Sequence, residues 1–315
     1  MRVLSANDLR KALPMSAAID AMREAFIALS RDEVEMPLRS RLNTPDGIVL
    51  AMPAYADGIS SLKVVSVYSG NNARGMPAIQ AVVLVLDGTT GEALALLDGS
   101  YLTALRTGAA SGLATALLSR PESSVLGVIG AGGMAPAQIE AVCAVRTIQE
   151  IRVYSPRRAP DMAAALADRY PIRAVSSVSE ALSGADIIVT STDSLTPLVF
   201  AEHLAPGSHI NAIGAYTPQM VEIAPEVVAR AKIVVDQREA TWVEAGDLIQ
   251  ARAADLIFNA ICELGEVAAG TSEGRTSDTE ITLFKSVGVA AQDLYAARAA
   301  IINAGRLHLG TTVAL

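Results

Sequence analysis

Two cationic side chains stand where a solvated charge is out of place. Lys63 lies in the run Ser60-Ser61-Leu62-Lys63-Val64-Val65-Ser66-Val67. On a strand it shares a face with Val65 and Val67, while Leu62 and Val64 line the other. Both faces are apolar, and a buried ammonium needs a partner anion. Arg106 is a single charge in the small-residue run Leu102-Thr103-Ala104-Leu105-Arg106-Thr107-Gly108-Ala109-Ala110, and Arg39 and Arg41 follow Met36-Pro37-Leu38. Three cations with few acids nearby, Arg39, Lys63 and Arg106, suit a substrate carboxylate, which a guanidinium holds bidentately. The same residues read equally well as structural ion pairs with distant Asp or Glu.

A second constellation is Val128-Ile129-Gly130-Ala131-Gly132-Gly133-Met134-Ala135, a match to G-x-G-x-x-G/A. It follows an apolar strand, opens a helix and sits in a βαβ pattern, which is the context a dinucleotide fingerprint requires. Gly130 permits the tight turn, Gly132 lets the backbone approach a pyrophosphate, and Ala135 allows close helix–sheet packing. Gly130, Gly132, Gly133, Met134 and Ala135 are therefore expected cofactor contacts, against the alternative of a glycine-rich turn with no ligand. The next strand ends in Val153-Tyr154-Ser155-Pro156-Arg157-Arg158, with no carboxylate for a ribose 2′-hydroxyl. Ser155, Arg157 and Arg158 suit a 2′-phosphate instead, so NADP(H) is the preferred cofactor and NAD(H) the other possibility. The alternative is a solvated arginine pair in a loop.

Composition narrows the remaining classes. The 315 residues are 51% hydrophobic and 18% charged, which excludes disorder and is ample for a core. Mean hydropathy is +0.36, yet no apolar run reaches the roughly 18 residues of a spanning helix, so no membrane partner is expected. Net charge is -8, which argues against nucleic acid. Only Lys11, Lys63, Lys232 and Lys285 are lysines. Cys143 and Cys262 form no CxxC pair and read as reduced core residues, and His203, His209 and His308 lack metal-ligand spacing. The segment MRVLSANDLRKAL lacks the apolar core of a signal peptide, and a cytoplasmic location is expected.

The elements that must position these residues follow from periodicity. Met15 to Leu29 has helical apolar spacing. Strand-like runs cover Ile48 to Met52, Leu62 to Tyr68, Ala78 to Asp87 and Ala93 to Leu97, with a hairpin turn at Asp87-Gly88-Thr89-Thr90-Gly91. A helix runs from about Leu102 to Ser119. This first region reads as an antiparallel sheet with helices. After Pro121, short strands at Val125 to Ile129, Ile151 to Tyr154, Asp186 to Val189, His209 to Ile213 and Lys232 to Val235 alternate with helices such as Asp161 to Arg169. That rhythm predicts a doubly wound parallel sheet. Ile281 to Phe284 reads as a strand, and Val289 to Ala304 as a closing helix with Gly305 as its stop signal.

Taken in order, these motifs resemble the ornithine cyclodeaminase/mu-crystallin family over almost the whole chain. The resemblance rests on Pro37-Leu38-Arg39, Met52-Pro53-Ala54-Tyr55, Leu62-Lys63-Val64-Val65, Gly75-Met76-Pro77, Leu105-Arg106-Thr107-Gly108-Ala109-Ala110-Ser111, Gly130-Ala131-Gly132, and Phe284-Lys285-Ser286-Val287-Gly288-Val289-Ala290-Ala291-Gln292-Asp293. It implies an α/β fold: a Rossmann-type dinucleotide-binding domain at 119–289, plus an α+β substrate-binding and dimerisation domain built from 1–118 and 290–315. It also implies a homodimer. Arg39, Lys63 and Arg106 map onto the family's carboxylate-binding cations, Thr107 onto its cofactor-phosphate threonine, and Thr190-Ser191-Thr192 onto a segment beside the cofactor. Thr192 and Ser286 are counted with the cofactor contacts on the same ground.

One departure bears on the reaction. Cyclodeaminases and alanine dehydrogenases of the family usually carry Gly-Ala-Asp or Gly-Gly-Asp after the fifth strand. Here Gly214-Ala215-Tyr216 stands there. Tyr, with a reference pKa near 10, is a poor base at neutral pH. A reductase acting on a ready-made imine needs neither that base nor an anchor for a distal ammonium. Resemblance to the family's ketimine-reductase members therefore implies NAD(P)H-dependent reduction of a small cyclic 2-imino acid, Δ1-pyrroline-2-carboxylate or Δ1-piperideine-2-carboxylate, to the L-amino acid. Lys63 and Arg106 are the expected catalytic residues. Lys63 donates the proton if burial and Arg neighbours lower its pKa, a bound water being an equal candidate. Tyr216 walls the pocket or orients the ring. The alternatives are a lyase using NAD catalytically, with an acid such as Glu222 in place of the missing Asp, reductive amination of a linear 2-oxoacid, or a non-catalytic NADPH-binding protein.

Overall fold

The computed structural model describes residues 1–256 and 260–314; Leu315, the last residue of the first domain as read above, lies outside them. Contacts divide the chain into two compact units, Met1–Arg106 with Val289–Leu315, and Thr107–Gly288.

The first unit opens with β1 (Arg2–Leu4), α1 (Ala6–Ala12) and α2 (Met15–Ser30). Ser5 caps α1 through a reciprocal bond with Asp8. Then come β2 (Ser40–Thr44), β3 (Gly47–Ala56), β4 (Ile59–Val67), β5 (Ile79–Asp87), β6 (Ala93–Asp98) and α3 (Gly99–Leu118), along which the division between the units falls. The expected Asp87 turn joins β5 to β6, with the Asp87 carboxylate accepting from the N–H groups of Thr89 and Thr90.

The second unit alternates strand and helix: β7 (Val125–Ile129), α4 (Ala135–Val145), β8 (Glu150–Tyr154), α5 (Ala159–Leu166), β9 (Ile172–Ala174), α6 (Val178–Leu182), β10 (Ile187–Thr190), β11 (His209–Ala212), α7 (Pro225–Arg230), β12 (Lys232–Val235), α8 (Arg238–Glu244), α9 (Gly246–Ala253), β13 (Cys262–Glu263), α10 (Leu264–Ala269) and β14 (Thr282–Lys285). The chain then returns to the first unit through α11 (Ala290–Arg306) and β15 (Thr311–Thr312). Gly305 does not stop α11 as expected. The helix runs through it to Arg306 and is capped at Leu307.

The first unit's sheet has the order β15-β1-β6-β5-β4-β3-β2. It is antiparallel apart from the β1–β6 pair. Strand alternation sorts its residues: Leu50, Met52, Ala54, Val65, Val83 and Val85 are buried, and α11 packs on β3, β4 and α2. The alternate positions form a second apolar face. Leu62, Leu84 and Leu96 pair in one row across three strands and Val64 with Val82 in the next; Val82 is 47% exposed and the others half-buried.

The second unit's sheet has the order β13-β12-β14-β11-β10-β7-β8-β9, with every pair parallel. Counting strands from β7, the sheet runs 3-2-1-4-5-8-6-7: its first five follow the order of a doubly wound dinucleotide fold, and β14, the eighth, takes the place beside β11 where that order has its sixth. Strands β7, β10 and β11 are buried almost throughout, as strands covered on both faces must be.

Candidate active site

In the first unit, β4 places Lys63 on the buried face between Met52 of β3 and Val83 of β5. Its side chain is 1% exposed. The partner anion is Asp293, in the first turn of α11, where a helix N-terminus favours a carboxylate. Lys63 Nζ lies 2.6 Å from Asp293 Oδ2, and Arg106 Nε donates to Asp293 Oδ1 at 3.2 Å. Arg106 Nη1 donates to Gln292 Oε1, which also accepts the N–H of Val289. Lys63 and Arg106 are thus brought together around one carboxylate. The expectation of few acids nearby is corrected here: the acid is Asp293, 187 positions from Arg106 along the chain.

Burial lowers the Lys63 pKa to about 7; the Arg106 and Arg39 charges act in the same sense and Asp293 opposes them. Arg39 is half-buried and near enough for its charge to be felt. Two buried cations against one carboxylate leave the cluster with an excess of positive charge whenever Lys63 is protonated. Such a cluster is complementary to an anionic ligand.

In the second unit, the glycine loop lies between β7 and α4. Gly130 has φ +104°, and a Cβ there would stand 2.7 Å from the Ser191 carbonyl oxygen, so only glycine suits the turn. Its N–H donates to the Tyr154 carbonyl. Cβ atoms at Gly132 or Gly133 would meet nothing within 4 Å, so the loop's face is open there. Among the described residues the N–H groups of Gly132 and Gly133 have no backbone acceptor. Open backbone donors at a helix N-terminus fit a dinucleotide pyrophosphate. Met134 stands at the N-terminal boundary of α4 with no side-chain capping bond, and Ala135, the first residue of the helix, is fully buried. Past the end of β8, Ser155 is half-buried, and Arg157 and Arg158 are exposed. Thr107 is half-buried on α3.

The loops after β10, β11 and β14 are fastened by acids. Glu222 is fully buried. Its Oε1 accepts from the Thr192 N–H at 2.7 Å and hydroxyl at 2.8 Å. Its Oε2 accepts from the Thr190 hydroxyl at 3.0 Å and from the N–H groups of Gly214 at 2.8 Å and Ala215 at 3.1 Å. Burial raises the Glu222 pKa, yet five donors turned on one carboxyl describe its ionised form. Glu222 is committed to these loops and does not substitute as a free base for the missing Asp. Tyr216, half-buried, follows directly on the fastened Gly214-Ala215 segment. The Ser286 hydroxyl donates to Asp236 Oδ2 at 2.8 Å. His209 is fully buried beside Thr282 and Asn211, and its pKa is pushed down to about 3 by burial and by Arg275.

Sequence reasoning missed Asp293 and the acid network. Asp293 had one legible signal, a single acid in the alanine-rich opening of the last helix.

The family model described as "Ornithine cyclodeaminase/mu-crystallin family" matches residues 1–304. A Δ1-pyrroline-2-carboxylate reductase of Bacillus cereus is 40% identical over 310 residues, covering 95% of each chain. The solved Δ1-pyrroline-2-carboxylate reductase of Thermococcus litoralis, in complex with NADH and L-proline, is 37% identical with a TM-score of 0.93 over 99% of this chain and 100% of its own. An archaeal alanine dehydrogenase dimer with bound NAD is 36% identical with a TM-score of 0.92 over 100% and 99%.

Proposed function

Because the chain belongs to the ornithine cyclodeaminase/mu-crystallin family, we propose that it reduces a small cyclic 2-imino acid, Δ1-pyrroline-2-carboxylate or Δ1-piperideine-2-carboxylate, to the L-amino acid. The observation that carries this reading is the segment after β11. Tyr216 occupies the place of the family's acid, and the nearby Glu222 is engaged by five donors. A lyase needs an acceptor for a proton and an anchor for a distal ammonium; reduction of an imine needs neither.

The nicotinamide cofactor, when bound, supplies a hydride to the imine carbon. Arg39, Arg106 and Lys63 hold the substrate carboxylate, and Lys63 holds the proton that the imine nitrogen takes as C2 is reduced. An ammonium with a pKa near 7 is matched to that transfer at neutral pH. Tyr216 walls the pocket. Gly130, Gly132, Gly133, Met134, Ala135, Thr107, Thr192 and Ser286 line the cofactor, and Ser155, Arg157 and Arg158 give the preference for NADP(H).

We further assign the chain to a homodimer in which a second copy covers the Leu62–Leu84–Leu96 and Val64–Val82 face of the first unit's sheet. A half-exposed apolar sheet face of this kind marks an interface, and a dimer occurs in the archaeal relative. Both described cysteines are free thiols, in keeping with a reducing cytoplasm.

The test is a substrate panel followed by nicotinamide absorbance, with NADPH and with NADH. Cyclic imino acids are set against pyruvate and oxaloacetate with ammonia, and against ornithine with NAD. Turnover of cyclic imines is expected. Turnover only with linear oxoacids plus ammonia, or of ornithine without net change in NADH, overturns the proposal.

A further inference from the structure

The acid network of the second unit has an order to it. Glu222 fastens the loop after β10 to the loop after β11. Its own segment is held by Asp247, whose Oδ1 accepts the N–H groups of Glu222 at 2.6 Å and Ile223 at 2.9 Å. Asp247 Oδ2 in turn lies 2.7 Å from Lys285 Nζ, both side chains being 0% exposed. Lys285 is the last residue of β14. Beside it, Asp236 accepts from the Ser286 hydroxyl and from the N–H groups of Val287 and Gly288. Buried carboxylates thus tie together the loops at the carboxyl ends of β10, β11 and β14, which is where an open parallel sheet binds its ligands.

The fit admits no slack. A Cβ on Gly214 would stand 2.2 Å from the Thr192 carbonyl oxygen and 2.5 Å from Glu222 Oε1. The two loops touch at that point, and Glu222 closes the contact from one side. Three of its five donors are backbone N–H groups, whose directions are fixed by the chain. A carboxylate accepts from all of them. A carboxamide keeps one accepting oxygen and turns an NH2 toward the remaining donors.

We propose that Glu222 is a positioning residue: with Asp247 and Lys285 behind it, it sets where Thr192 and Tyr216 stand toward cofactor and substrate. This role rests on the reading of those two loops given under Proposed function. Glu222 is out of reach of solvent and touches no reacting atom; it acts through the loops it holds.

The test compares wild type with Glu222→Gln, Glu222→Asp and Lys285→Met. Hydrogen–deuterium exchange is read over 190–194 and 212–217, together with NADH affinity by fluorescence and kcat and KM for the cyclic imine. In Glu222→Gln, exchange at Thr192, Gly214 and Ala215 is expected to rise by roughly tenfold or more, the scale of one charge-assisted hydrogen bond lost. Exchange in β7 and α4 stays at the wild-type rate. NADH affinity and kcat fall by about tenfold while KM for the imine moves less than about threefold. Glu222→Asp, which keeps the charge, recovers part of kcat, and Lys285→Met reproduces the Gln phenotype in weaker form. Wild-type exchange in Glu222→Gln overturns the proposal. So does faster exchange with unchanged NADH affinity and kcat, because the network is then structural only. If wild type reduces no imine, the reaction reading falls by itself, and exchange with NADH affinity still decides the positioning role.

Discussion

Lys63 Nζ and Asp293 Oδ2 lie 2.6 Å apart in the interior of the first unit, on side chains 1% and 0% exposed. One comes from the middle of a sheet and the other from the first turn of the closing helix. Their proximity fixes both the charge and the basicity of the proposed substrate site, and it sets the first two predictions.

The rate of imine reduction should fall as pH rises through about 7, because the Lys63 pKa stands there and the donor must carry its proton. Asp293 is a group that holds that pKa up, so Asp293→Asn should move the descending limb to lower pH. A kcat/KM profile across pH 5 to 9, roughly, reads both effects; a limb that keeps its position in Asp293→Asn removes Asp293 from control of the proton. Stability has its own sign. The folded pKa lies below the unfolded value near 10.4, so between about 7 and 10 the unfolded chain binds the extra proton. The Lys63 contribution to stability therefore rises with pH across that window and is at its lowest below 7.

Asp293→Asn should also destabilise the apoprotein, since Lys63 and Arg106 then face each other without their shared anion. Removing one partner of a buried ionic group costs about 3–5 kcal/mol. Urea denaturation at pH 6, where wild-type Lys63 is charged, should show a loss approaching that scale, reduced to the extent that Lys63 sheds its proton in the variant. Adding Lys63→Met should recover part of it, because the unpaired ammonium goes. Additive losses in the double variant would mean that the two side chains are not coupled.

At the cofactor site, Arg157→Ala and Arg158→Ala should each lower kcat/KM for NADPH by about tenfold while leaving that for NADH within about twofold. Both arginines are exposed beyond β8, and no carboxylate stands at that strand end. Equal kcat/KM for the two cofactors in the wild type would refute the role given to them, and the solved relatives with NADH and NAD make this a real contest.

For the dimer, Val82→Arg with Val64→Asp should halve the mass seen by light scattering, from twice 32.7 kDa to one chain. The two positions pair across β4 and β5 on the apolar face. Unchanged mass would move the interface elsewhere.

Much of this was legible in the chain because its signals are local. The apolar strands β3 to β6 and the Asp87 turn lie within a few residues of one another, and Gly130 to Ala135 carries its context on both sides. Short or polar elements gave no such signal. β1 has three residues, and its identity as a strand comes from pairing with β6 and β15 at opposite ends of the unit. β2, Ser-Arg-Leu-Asn-Thr, is mostly exposed and has no apolar face to reveal its period. Asp293 stayed hidden for a related reason, since its partners are set by how α11 packs on β4. Glu222 was read as a possible base because its type and neighbourhood allow it. That it is spent on backbone donors from Thr192, Gly214 and Ala215 is a property of loop geometry, which leaves no trace in residue type.

Gly108 links the packing of two helices to the proposed phosphate site. A Cβ on Gly108 would stand 2.4 Å from the Ala137 carbonyl oxygen and 3.0 Å from the Ala137 side chain. Helices α3 and α4 therefore approach through a gap that only glycine leaves open. Gly108→Ala must push the two apart, at a cost of about 1–3 kcal/mol for overpacking. Thr107, next in the chain, and the glycine loop at the head of α4 both lie in the second unit, so the displacement should be felt at both. Lower thermal stability together with NADPH affinity reduced by about tenfold is expected, since Thr107 and the loop amides are proposed to hold phosphate together. Calorimetry of NADPH binding reads the second effect separately from the first. Weaker folding with wild-type affinity would take Thr107 out of the phosphate site and leave the α3–α4 crossing a matter of packing.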